Sequence, residues 1–277
     1  MQPARRQITF ATAALPLALL AGCAQTREDF EPRVGQPGKD VIWVPTPDEV
    51  VQRMLDLAQV KAGDRLVDLG AGDGKIVIAA AKRGARARGI EFNPDMVALS
   101  RRNARAAGVN VQLEQGDIFQ ADFSEADVLT LFLLPHLNLK LKPILLDMKP
   151  GTRVSSHAFD MGDWEPDRKE DVLGRPAYFW LVPAKVAGTW TLRAQDEAPM
   201  QVQLQQQYQK LEGHAVRGGA QVPLQNAALS GAAIRFDVAG AGGAAMRFEG
   251  TADHGGRMRG NVTLPGGQRK AFTGTRA

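Results

Sequence analysis

Three carboxylates stand at matching points, each at or just beyond the end of an apolar stretch. Asp68 lies in Leu66-Val67-Asp68-Leu69, Glu91 near the end of residues 87–92, and Asp117 in Gly116-Asp117-Ile118 after residues 110–114. Between Asp68 and the apolar helix predicted for residues 75–82, Gly70, Gly72 and Gly74 alternate with Ala71 and Asp73. A strand that ends in an acid and passes through alternating glycines into a helix is a nucleotide-binding turn. A dinucleotide turn reads G-x-G-x-x-G and rests a pyrophosphate on the helix amides. Here the third glycine comes one residue early, and Asp68 and Asp73 put negative charge where the pyrophosphate would sit. The turn therefore suits a ligand without phosphate that carries positive charge.

S-adenosylmethionine, with its sulfonium and amino groups, is such a ligand. Glu91 is placed to accept both ribose hydroxyls and Asp117 to accept from the adenine amino group. Three acids after three strands line one edge of a parallel sheet at its topological switch point. In this register the chain resembles a class I S-adenosylmethionine-dependent methyltransferase. The resemblance implies an α/β architecture with a seven-stranded, Rossmann-like sheet. Asp68, Gly70, Gly72, Gly74, Glu91 and Asp117 would then form the cofactor side.

The elements that position these residues follow in order. Arg5 and Arg6 precede an apolar run over residues 8–20 that ends Leu20-Ala21-Gly22-Cys23. That order is an export signal, and its last four residues resemble a lipobox. Cys23 would be lipidated and the chain held at the envelope membrane, facing the periplasm. The single cysteine of the chain has neither a disulfide partner nor metal-site companions. Residues 1–22 are read as the signal and 23–39 as a polar tether. The net charge of +4 over 277 residues includes no basic block, so nucleic acid is not an expected partner.

A first domain spans residues 40–185. Thr46, Pro47 and Glu49 predict a capping box before a helix with a Val50, Met54, Ala58 stripe. Residues 43–46 either line the cofactor site or start the helix over the core. Residues 127–134 read as a long buried strand leading into Leu134-Pro135-His136-Leu137-Asn138. Many amino methyltransferases carry Asp/Asn-Pro-Pro-Tyr there, where carbonyls and a side-chain amide hold the acceptor nitrogen. This chain keeps only Pro135, with Asn138 beyond it. Residues 152–157 predict a fifth strand, ending at His157. The loop after it holds Asp160, Asp163, Glu165 and Asp167, and is either a cationic-acceptor site or a solvated surface.

Taken together, residues 44–47, 68–74, 91–94, 133–135 and 149–164 resemble a narrower group. They are similar to bacterial relatives of the mitochondrial lysine methyltransferases that modify the ATP synthase c-subunit and the adenine nucleotide translocase. That resemblance, over residues 40–183, implies an amine acceptor such as a protein lysine. Thr46 and Pro135 would flank the cofactor, and Asn138, His157, Asp160 and Asp163 the acceptor.

From residue 186 the texture changes. Met200, Val202 and Leu204 alternate with glutamines, and Ile234, Phe236 and Val238 alternate with Arg235 and Asp237. Period-two patterning with glycine turns predicts an antiparallel meander or small barrel over residues 186–277. Residues 187–194 belong either to it or to the first sheet. Three functions remain open at this point. One is methyl transfer to a protein lysine, another an envelope protein that binds a ligand without turnover. The third is a small-molecule methyltransferase whose acceptor pocket the C-terminal sheet completes.

Overall fold

The computed structural model describes residues 30–36, 43–240 and 244–277. The export signal, Cys23 and most of the tether lie outside the described residues. Contacts divide the chain at Phe30, and the larger unit is Glu31–Ala277. None of the described helices is long and apolar enough to cross a membrane.

The first half of that unit alternates strand and helix: β1 (Arg65–Leu69), α2 (Lys75–Lys82), β2 (Arg86–Glu91), α3 (Pro94–Ala106), β3 (Gln112–Gln115) and β4 (Val128–Leu131). It continues through α4 (Pro135–Leu146) and β5 (Arg153–His157) to a terminal hairpin, β6 (Arg168–Val172) and β7 (Arg175–Leu181). Helix α1 (Asp48–Leu57) precedes them all. The seven strands are ordered β3-β2-β1-β4-β5-β7-β6. Strands β1 to β5 run parallel, and β7 is antiparallel to both neighbours. β1 and β4 are buried along nearly their whole length, as central parallel strands covered on both faces must be. Chain order reverses between β1 and β4, and this opens the crevice at their carboxyl ends.

Two expectations change here. β4 stops at Leu131, because Phe132 to Leu134 leave the sheet and Pro135 starts α4 at once, with its fixed φ and missing N–H. The capping box does not form either: Pro47 occupies the N-cap of α1, with no side-chain cap bond. Thr46 stands one residue too early, and its hydroxyl is drawn to His157 instead.

Residues 188–276 make a closed eight-stranded barrel, ordered β10-β11-β12-β13-β14-β15-β8-β9. Its strands are β8 (Gly188–Ala194), β9 (Met200–Gln207), β10 (Lys210–Arg217), β11 (Ala220–Ser230), β12 (Ala233–Ala239), β13 (Ala245–Ala252), β14 (Arg257–Thr263) and β15 (Arg269–Arg276). Each strand pairs with its sequence neighbour, and β15 returns to β8. Residues 187–194 therefore serve the second sheet. Ala184 and Val186 are already buried in the barrel core, so the join falls just after Val182. Trp190, Leu192, Val202, Leu204, Phe236 and Phe248 fill the interior from alternate positions. Gly250 faces Gly260 where β13 and β14 approach closely. A Cβ on Gly260 would lie 2.1 Å from the Glu249 carbonyl oxygen, so no other residue fits there.

The two domains meet through a turn. Tyr208 and Gln209, between β9 and β10, reach residues 163–165 after β5. Tyr208 Oη donates to Asp163 (2.8 Å), Trp164 Nε1 to Gln209 (3.1 Å), and Gln209 Nε2 to the Glu165 carbonyl (2.7 Å). Trp164 is fully buried between Trp180 and Tyr208. Truncating such a side chain to alanine costs roughly 3–5 kcal/mol.

Candidate active site

The glycine turn takes its shape from backbone that only glycine adopts freely. Gly70, Gly72 and Gly74 all have positive φ (85°, 53° and 82°). That folds the chain back so that the Gly72 amide donates to Glu91 Oε2 (2.9 Å). The Asn93 amide donates to the other carboxylate oxygen at the same distance, and the Asn93 side chain caps α3. Two backbone amides thus fix the Glu91 carboxylate at the rim and leave its remaining lone pairs for a ligand.

Asp68 sits deeper. It pairs in register with Thr130 of β4, and its Oδ1 accepts from the Thr130 hydroxyl (2.6 Å). It is buried, and desolvation lifts its pKa from 3.8 to about 7. The Thr130 bond opposes that rise, while the nearby Asp73 and Glu91 charges add to it. A buried carboxyl poised at neutrality waits for a cation.

A cleft of about 360 Å³ joins these acids to the acceptor side. Besides Asp68, Asp73 and Glu91, it is lined by Trp43 to Thr46, Phe132 to Leu134, His157 to Phe159 and Gly174 to Pro176. Every lining residue precedes the barrel. The acceptor pocket expected from the C-terminal sheet in the small-molecule reading is therefore not built there.

His157 ends β5 inside this cleft. It is buried, its ring centroid is 4.0 Å from that of Phe132, and its Nδ1 is 3.3 Å from Thr46 Oγ1. Desolvation, helped by the Arg175 charge, lowers its pKa to about 4. At neutral pH the ring is an uncharged hydrogen-bonding group and a poor resting place for a proton. Phe132 and Phe159 stack with centroids 6.5 Å apart, so the acceptor end is aromatic and free of carboxylates.

Other expected residues lie outside the cleft lining. Asp117 caps its own turn by accepting from the Phe119 amide, and it reaches the sheet edge through the Gly116 amide bond to the Glu91 carbonyl. Gly74 forms the left-handed N-cap of α2. Pro135 opens α4, with only the preceding Leu134 in the lining. Asn138 is buried and donates to the carbonyls of Phe159 and Asp160, which ties α4 to the loop after β5. The acids of that loop are spent on structure. Asp160 accepts from the Gly162 amide, and Asp167 from the Leu181 amide. Asp163 holds Lys142 and Tyr208, whose bonds lower its pKa. Asp160 and Asp163, expected beside the methyl acceptor, are absent from the cleft lining, and the barrel turn and α4 hold Asp163.

Sequence reasoning missed β6 and its turn into β7, which brings Gly174, Arg175 and Pro176 to the cleft. It also missed Lys75, whose ammonium bridges the Thr46 carbonyl (3.1 Å) and Asp48 (3.0 Å) and so ties α2 to the leading segment. The Leu173-Gly174 pair, a two-residue turn with a glycine, was the available signal for the hairpin.

The donor set fits S-adenosylmethionine. The cleft offers carboxylates for cations and hydroxyls, a tight amide-lined turn, and apolar walls from Trp43, Met96 and Leu133. A match to the family described as the ANTKMT methyltransferase domain covers residues 68–168. The protein-lysine N-methyltransferase of Saccharolobus islandicus is 44% identical over 131 residues, covering 46% of this chain and 81% of that protein. The human lysine N-methyltransferase of the ATP synthase c-subunit is 34% identical over 45% of this chain; the match spans 54% of the human protein, about half its length. The crystal structure of an RNA methyltransferase from Salinibacter ruber, in complex with S-adenosyl-L-homocysteine, is 55% identical. It covers 52% of this chain and 96% of its own, with a TM-score of 0.51. The family match leaves the barrel uncovered and falls on the sheet that carries the cleft. The chain belongs to the ANTKMT-type class I S-adenosylmethionine-dependent methyltransferases.

Proposed function

We propose that this enzyme methylates the side-chain amine of a lysine in a protein. Bound in the cleft, S-adenosylmethionine supplies an electrophilic methyl group. Asp68 receives the positive end of the ligand, and Glu91 accepts its ribose hydroxyls. The acceptor nitrogen attacks with its lone pair as the sulfur–methyl bond breaks toward sulfur, so alignment is the main task of the protein. A lysine amine is protonated at pH 7, and presenting it neutral costs about 5 kcal/mol in water. An aromatic, poorly hydrated pocket lowers that cost by disfavouring the ammonium form. His157, uncharged and braced by Phe132 and Thr46, accepts a hydrogen bond from the amine and aims its lone pair. The released proton passes to solvent.

The observation that carries this reading is the placement of a neutral, buried His157 between Phe132 and Thr46 in the same cleft as Asp68 and Glu91. The lysine methyltransferases among the relatives support the same acceptor. The Salinibacter structure is named for RNA, which gives the test its second arm. Purified enzyme is incubated with tritiated S-adenosylmethionine and, separately, the protein and RNA fractions of an extract. Label in protein, mapped to lysine by mass spectrometry, is expected. Label confined to RNA would refute the lysine reading.

A further inference from the structure

The barrel holds a second cavity that methyl transfer does not use. One end of the barrel faces the sheet: the Tyr208 turn meets Asp163 and Trp164, and His254 Nε2 contacts the Met148 carbonyl (2.7 Å). At the opposite end, where β8, β10 and β14 finish and β9 and β13 begin, the described residues line a cavity of about 230 Å³. Leu192, Met200, Met246, Val262 and Leu264 line it, with Phe248 at its base. Phe248 in turn stacks on Phe236 (5.1 Å between centroids) and meets Phe272 edge-on (5.2 Å), so the floor is rigid. The two methionines give the wall adaptable surface.

Two charged side chains reach this lining, and they differ. Glu197 is held by the Lys270 ammonium (2.8 Å) and adds no net charge. The Arg217 guanidinium meets, among the described residues, only the Ala239 carbonyl, at 3.4 Å. The mouth is therefore an apolar cup under one cation that no carboxylate among the described residues neutralises.

We propose that this mouth binds a small amphipathic carboxylate, with its apolar body in the cup and its headgroup on Arg217. An eight-stranded barrel is just wide enough for side chains to fill it or for one small ligand to enter, and here the cup remains at the mouth beyond the packed side chains. The cup equals roughly eight water volumes, which suits a medium-length alkyl chain or one aromatic ring. A guanidinium fork matches a carboxylate in two parallel bonds, and an ammonium ligand is repelled.

The full chain is titrated with octanoate, and with octanol and octyltrimethylammonium as comparators, by calorimetry and by NMR of methionine methyl groups. Octanoate is expected to bind once per chain, shifting the Met200 and Met246 methyls but not Met54 in the first domain. Octanol binds about tenfold more weakly, and Arg217→Gln weakens octanoate by the same factor. Ala194→Phe fills the cup and abolishes binding, while an unchanged circular dichroism spectrum and melting temperature in both variants report an intact barrel. Absence of saturable octanoate binding overturns the proposal. So does equal affinity in Arg217→Gln, or methyl shifts outside the mouth.

Discussion

Asp68 makes cofactor affinity depend on pH in a window where few other groups titrate. Its folded pKa is about 7 because burial disfavours the charged form. A cationic ligand binds the ionised carboxylate, so binding below pH 7 must release a proton. The ionised fraction falls from one half at pH 7 to about 3% at pH 5.5, which weakens S-adenosylmethionine by roughly fifteenfold across that range. The α-amino group of the ligand, with a pKa near 8, stays protonated throughout, and His157 titrates lower, at about 4. Calorimetry in two buffers of different ionisation enthalpy should count nearly one proton released at about pH 5.5 and about half at pH 7. Asp68→Asn should weaken binding and abolish both the slope and the proton release. The same residue acts oppositely on the free protein. Its folded pKa lies above the unfolded value, so the folded state holds the extra proton between about pH 4 and 7. Stability from that proton is complete below the unfolded pKa and is lost as pH rises through 7, about 4 kcal/mol in all. Asp68→Asn should therefore be the more stable ligand-free protein at pH 8. A flat affinity profile in wild type, or an unchanged slope in Asp68→Asn, would refute this reasoning.

Three further outcomes are expected. Glu91→Ala removes acceptors for two ribose hydroxyls at roughly 1.5–3 kcal/mol each and should weaken S-adenosylmethionine at least about tenfold; unchanged affinity by calorimetry would remove the ribose assignment. His157→Phe preserves the ring contact with Phe132 but no hydrogen-bond acceptor to orient the amine, so turnover should fall by about 10²-fold with cofactor affinity nearly intact; equal loss of both would make the residue structural. Metabolic labelling with palmitate should mark the wild type and not Cys23→Ser, and an unlabelled wild type that fractionates with the cytosol would end the export reading.

The glycine turn that shapes the cleft was legible because its geometry is local. The turn from Asp68 to Gly74 needs positive φ at fixed offsets, and the bond that orients Glu91 comes from that same turn. The acceptor half was harder to read because distant segments decide it. An acidic loop at residues 160–167 looks alike in sequence whether it faces a substrate or a neighbouring domain. Here Tyr208, Gln209 and Lys210 arrive from the barrel and occupy it. Thr46 carries the right residue type for a cap and lies one position off, and a hydroxyl's choice between a helix end and a ring nitrogen 111 residues away leaves no local trace. Residues 187–194 carry an alternation that suits either sheet, and only the pairing of β8 with β15 resolves it.

That pairing has a consequence for synthesis. β8 is the first barrel strand to leave the ribosome, and its second neighbour is β15, the last strand of the barrel. Until β15 arrives, one side of β8 carries unpaired amides and carbonyls, which form a template for any passing strand. When it docks, Arg276 latches the seam, with its guanidinium on the Lys185 carbonyl (2.9 Å) and 5.9 Å from the Trp190 ring centroid. A protease that removes residues 269–276 would reopen two edges at once, β8 and β14. Two such damaged copies could then exchange strands, so loss of this short segment would turn a closed wall into an adhesive one.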